Sequence, residues 1–114
     1  MPTREYYLEQ IDKELAAARA AQGEKNDGKA RVGARRAAGA ALAWFLSAFP
    51  RDGWGTDAIR RLQRAGVEES FPYDVRAAAL RLTARITDAF AYPFATDPVD
   101  DAGVIVRHIR SLMK

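Results

Sequence analysis

His108 and the arginines around it are the side chains of this chain best placed to do chemistry. His108 is the only histidine in 114 residues; Arg107 precedes it and Arg110 follows two positions later. An imidazole beside permanently charged guanidinium groups can hold a phosphodiester and move a proton on it. Two readings of the group stand side by side. On a helix, His108 points away from the Val99, Val106, Ile109 stripe, which places it at a solvated rim. Alternatively, Arg107 and His108 form a ligand or phosphate site. Arg31 and Arg35 pose a similar question, because at helical spacing they share an azimuth with Leu42 and Leu46. Charged heads on such a face must reach past the bundle end, pair with a carboxylate, or line a polar pocket. Structural pairing and a ligand site both meet that requirement.

Other chemistries lack their residues. There is no cysteine and one histidine, so no zinc site is expected, and no Glu-x-x-His pair exists for a helical two-metal centre. Ser47, Ser70 and Ser111 stand outside any nucleophile-elbow context. No Walker loop or dinucleotide-binding glycine fingerprint occurs, and no cofactor is expected. Asp100 and Asp101 imitate a paired carboxylate, but in a first helical turn they read as surface acids favoured by the helix dipole.

The surrounding composition is mildly basic. The formal charge is +3, and fourteen of the eighteen cations are arginine, with fifteen acids interspersed. Biased base composition and a functional basic surface both account for this. The second would use Lys25, Lys29 and Arg36 with Arg60, Arg61 and Arg64 to bind nucleic acid through phosphate contacts. The longest apolar block, Ala37 to Leu46, falls short of the roughly 18 residues a membrane span needs. MPTREYYLEQIDKEL has no signal-peptide core. A soluble, cytoplasmic protein of one domain over residues 1–114 is therefore expected, with no membrane contact.

The elements that must position these residues are all helical. Leu8, Ile11, Leu15 and Ala18 repeat at helical steps behind a Thr3 cap, predicting a first helix from Thr3 to Gln22. A turn over Gly23 to Gly28 follows. A second helix spans Asp27 to Phe49, with Ala30, Ala34, Ala37 and Ala41 on a stripe narrow enough for close backbone approach. Pro50 and the segment PRDGWG break the chain, and Thr56-Asp57 opens a short helix that Gly66 stops. A fourth helix starts near Phe71-Pro72, carries Val75, Ala79, Leu82, Ile86 and Phe90 on one face, and ends at Pro93. Asp97-Pro98 opens the last helix, with Val99, Ala102, Val106, Ile109 and Met113 inward. Short breaks imply antiparallel neighbours: an all-α, up-and-down bundle of four main helices plus one short helix. Its expected core includes Leu8, Ile11, Leu15, Ala34, Ala41, Phe45, Leu82, Ile86, Val106 and Ile109.

That topology gathers aromatics at one end: Tyr6 and Tyr7 beside Trp44, Phe45 and Phe49, with Trp54, Phe71 and Tyr73 joining them. They form either a plug closing the core or an association surface. For the second case the interface candidates are Trp44, Phe49, Trp54, Phe71 and Tyr73. Trp54, in the glycine-flanked GWG, is the candidate anchor of a homodimer, although it could equally fold back between Phe49 and Phe71.

The tyrosine-bearing first helix (REYYLEQI), the charged-to-alanine second helix (GKARVGARRAAGAALAWFL), the short third helix and the two closing helices together resemble the HEPN superfamily (higher eukaryotes and prokaryotes nucleotide-binding) over residues 3–112. The resemblance lies in helix order and texture. It implies dimerisation and partners such as a nucleotidyltransferase or the other half of a toxin–antitoxin pair. Some members are metal-independent ribonucleases in which four to six residues separate an arginine from the histidine that follows it on the last long helix. Here Asp101, Ala102 and Gly103 hold those places, so no catalytic residue carries over. The expected function is a non-catalytic HEPN-like interaction module that self-associates. The alternatives are a nucleic-acid-binding domain and an unconventional ribonuclease relying on His108 and Arg107.

Overall fold

The computed structural model describes residues 2–84 and 94–113. They form five helices and no strand: α1 (Arg4–Gly23), α2 (Asp27–Ala48), α3 (Ala58–Ala65), α4 (Tyr73–Leu82) and α5 (Pro98–Leu112). Four of the five begin on a side chain that satisfies an otherwise orphaned amide. The Thr3 hydroxyl accepts from the Tyr6 amide at 3.1 Å and the Asn26 carbonyl group from that of Lys29 at 3.1 Å. Asp57 and Asp97 accept from the Arg60 and Asp100 amides at 2.9 and 2.8 Å.

Between α1 and α2, the left-handed residue is Lys25 (φ 59°) rather than either glycine expected to make the turn. Gly23 is instead the last residue of α1. The turn is closed by the Asn26 amide donating to the Ala21 carbonyl at 2.8 Å.

The central element is α2, which packs against every other helix. Its small residues make this possible, because its axis lies close to two neighbours at once. A Cβ added at Gly33 would stand 2.9 Å from the Ala18 Cβ of α1, and one at Gly39 would stand 2.6 Å from the Ala58 Cβ of α3. The stripe Ala30, Ala34, Ala37 and Ala41 is fully buried within the chain's own fold. It is therefore not free to support the close approach of a second copy.

Side-chain ties establish the directions of the helices. Arg4 near the start of α1 donates to the Met113 carbonyl just beyond α5, so these helices run oppositely. Tyr7 stacks on Trp44, making α1 and α2 antiparallel. Arg81 of α4 meets Asp101 of α5, while Asp74 and His108 line one cleft, making that pair antiparallel as well. The result is an up-down-up-down bundle joined by α3.

The core contains Ile11, Leu15, Ala34, Ala41, Phe45, Leu82, Val106 and Ile109 as expected, whereas Leu8 is only half-buried at its edge. Ile86 and Phe90 lie outside the described residues. The fourth helix stops earlier than its apolar pattern suggests. It ends at Leu82, where the Thr83 hydroxyl donates to the Ala79 and Leu80 carbonyls and competes with continued helix.

Asp101 also departs from expectation. It is not a surface acid but is 1% exposed, with both oxygens engaged by Arg81 at 2.8–3.2 Å and a further hydrogen bond from the Thr96 hydroxyl at 3.0 Å. A buried carboxylate persists only with such partners. Asp100, one residue earlier, is exposed.

Candidate functional site

The aromatic end is a plug. Phe45, Trp54 and Phe71 form a triangle of rings with centroids 5.3–6.1 Å apart, and Arg64 lies over the outer face of Trp54. Gly53 and Gly55 both adopt positive φ, 82° and 73°, and the intervening Trp54 turns inward onto Phe45 and Phe71. Trp54, Trp44 and Phe71 are thus 2–3% exposed, which removes them as interface anchors. Of the five interface candidates only Phe49, 45% exposed, and Tyr73, 78% exposed, reach the surface.

His108 sits on the flank of this plug. Its ring meets Phe71 edge-on at 5.2 Å, and its Nε2 is buried with no hydrogen-bond partner among the described residues. It is half-buried rather than solvated. It lines an open cleft of about 290 Å³ with Pro72, Asp74, Val75, Val104 and Arg107. Burial lowers the imidazole pKa below its ordinary 6.5, and the charge of Asp74 only partly opposes this. The ring is therefore neutral at pH 7. Among the described residues its Nε2 has no partner that would orient the ring. The Ser111 hydroxyl donates to the His108 carbonyl oxygen at 2.6 Å and not to its ring.

The arginines flagged with His108 separate into different environments. Arg35 Nε donates to the Leu82 carbonyl oxygen, so part of its head caps the end of α4. Arg31 is buried, and its Nε has no partner among the described residues. Neither lines the His108 cleft. Arg107 does, and it also borders an adjoining cleft of about 390 Å³ with Arg4, Arg110 and Ser111. Arg4 was not legible in the sequence as a member of this group, because only the antiparallel packing of α1 and α5 brings it there.

The cations considered for nucleic acid are dispersed. Lys25 and Lys29 flank the α1–α2 turn, whereas Arg36 lines a cleft with Tyr6, Tyr7, Gln10 and Glu14. Arg60 and Arg64 border Gly53 and Gly55 in another cleft. Lys29 and the plug residue Phe45 are sixteen positions apart on α2, which is about 24 Å.

A further cleft, of about 340 Å³, is acidic and includes Asp27, Asp97 and Asp100 with Gln22 and Thr96. Burial alone would raise Asp97, but hydrogen bonds from the Asp100 amide and the Gln22 side chain outweigh it and hold its pKa below the ordinary value. Asp100 is raised, first by its side-chain hydrogen bond to Asp97 and then by the charge of that neighbour. Among the described residues no three His, Cys, Asp or Glu side chains converge as a metal site would require. None of the described helices is long and apolar enough to cross a membrane. The protein is thus an all-α helical bundle by class. No family model, curated protein or solved structure matches the chain.

Proposed function

We propose that this chain is a non-catalytic helical interaction module, HEPN-like in its helix order, that self-associates as a homodimer. The reading draws first on the outer face of α4. Tyr73 is 78% exposed and Leu80 50% exposed. Seven residues apart, they share one azimuth about 10 Å apart along the helix, with Ala77 between them. Leu80 rests against Gly66, whose neighbour Val67 is 57% exposed. This large–small–large row is self-complementary about a twofold axis. Two antiparallel copies would cross at Ala77 and set Tyr73 of one beside Leu80 of the other. The lack of an arginine at Asp101, Ala102 or Gly103 and the buried, unpartnered Nε2 of His108 support a binding role over a ribonuclease role.

Sedimentation equilibrium over a concentration series tests the reading. A dimer in the micromolar range is expected, with Tyr73→Asp plus Leu80→Asp shifting it to monomer without loss of helicity. A wild-type chain that remains monomeric at high micromolar concentration would overturn it.

A further inference from the structure

We infer that Arg4, Arg107 and Arg110 form a binding site for a phosphoryl dianion where the first turn of α1 meets the C-terminal two turns of α5. These three guanidinium-bearing side chains, drawn from two helices, line one open cleft together with Ser111. Arg51, Arg60 and Arg81 each have a carboxylate within 4.0 Å, but among the described residues Arg4, Arg107 and Arg110 have none. Their charge is permanent at every physiological pH, and the lining of this cleft holds no carboxylate side chain.

One member is already held in position. Arg4 Nη1 donates to the Met113 carbonyl at 2.7 Å, and its Cζ lies over the Trp44 ring, 5.1 Å from the centroid. One donor is thereby committed and the head is placed, so the remaining donors can bind at little further entropic cost. Arg107 stands between this cleft and that of His108. Its Nη1 would lie 3.2 Å from a Cβ at Gly103, one turn back along α5, so the absence of a side chain there gives it room to move.

A competing explanation is that arginines gather here only to complement the negative end of the α5 dipole. That would account for Arg107 and Arg110 near the end of their own helix. It does not account for the Trp44 platform under Arg4, which belongs to a different helix. Arg4 also neutralises one of the carbonyls that would otherwise repel an anion. The choice of a phosphoryl group follows from charge and shape. Three planar forks match the several oxygens and double charge of a phosphate, whereas one carboxylate would leave excess positive charge. An extended nucleic-acid strand fits less well, because Lys25, Lys29, Arg36, Arg60 and Arg64 do not continue this cleft.

Isothermal titration of the full chain with inorganic pyrophosphate at low ionic strength tests the site. Saturable binding is expected, weakened about tenfold or more by Arg107→Gln plus Arg110→Gln, as loss of charge-assisted hydrogen bonds requires. Lys25→Gln plus Lys29→Gln removes the same charge elsewhere and should bind as wild type. Acetate should bind far more weakly. The inference is overturned if pyrophosphate does not saturate, if both double variants weaken binding equally, or if acetate binds as well. It is also overturned if a short single-stranded RNA binds and pyrophosphate does not compete with it.

Discussion

Arg35 Nε donates to the Leu82 carbonyl oxygen at 2.5 Å, joining residues 47 positions apart and tying the middle of α2 to the last turn of α4. The contact explains how an arginine can share an azimuth with leucines on the central helix. Its stem packs while part of its head meets a helix C-terminus, where carbonyls lack intrahelical partners. Arg35→Met keeps the stem and removes the donors. It should lower stability by about 1.5–3 kcal/mol, in the range of a hydrogen bond from a charged group. Urea unfolding with an unchanged m value would report this as a shifted midpoint.

Arg81 and Asp101 make a stronger version of the same tie. The carboxylate side is 1% exposed, whereas the arginine keeps 27%. Arg81→Met should therefore cost about 3–5 kcal/mol, because it leaves a buried charge without its principal counter-ion. Arg81→Met combined with Asp101→Leu should recover much of that loss. A double-mutant cycle by chemical denaturation checks both expectations.

Three glycines that look alike in sequence should respond oppositely to alanine. Gly39→Ala places a Cβ 2.6 Å from the Ala58 Cβ and 3.0 Å from its Cα, and Gly33→Ala places one 2.9 Å from the Ala18 Cβ. Both should destabilise by about 1–3 kcal/mol as α2 is pushed from its neighbours. Gly23 has nothing within 4 Å, so Gly23→Ala at the end of α1 should stabilise by about 0.5–1 kcal/mol. Thermal melts of the three variants would separate the two directions.

His108 should impose a pH dependence on stability. Its folded-state pKa is lowered by burial, so just below the unfolded value near 6.5 the unfolded chain binds more protons than the folded one. Stability therefore rises with pH through this window. It is fully present above about pH 6.5 and declines as the pH falls towards the folded-state pKa. Replacing His108 with Gln should flatten that part of the profile, measured as urea midpoints between about pH 5 and 8. An unchanged slope would assign the dependence to other groups.

Trp54→Ala should cost about 3–5 kcal/mol, because the indole is 2% exposed and the change leaves a cavity between Phe45 and Phe71. Oligomeric state should not change in whatever fraction remains folded. Light scattering together with circular dichroism would show whether stability and association separate in this way.

Much of the helical framework was legible because its causes are local. Thr3, Asp57 and Asp97 cap amides three residues away, and the spacing of Ile11 and Leu15 or of Val106 and Ile109 follows from 3.6 residues per turn. The all-α class and the face that each helix buries follow from such signals. The surface chemistry was less legible. Arg31 and Arg35 look equivalent in sequence, yet only the position of α4 supplies a carbonyl to Arg35. Asp100 and Asp101 are adjacent, yet only the packing of α4 on α5 buries one of them against Arg81. The glycines beside Trp54 permit inward and outward courses alike, and Phe45 and Phe71 supply the apolar surface that favours the inward one. Arg4 joins Arg107 and Arg110 only through antiparallel helices separated by most of the chain. Caps and periodicity act within one helical turn and are encoded there, whereas a charged side chain takes the partner that folding brings to it.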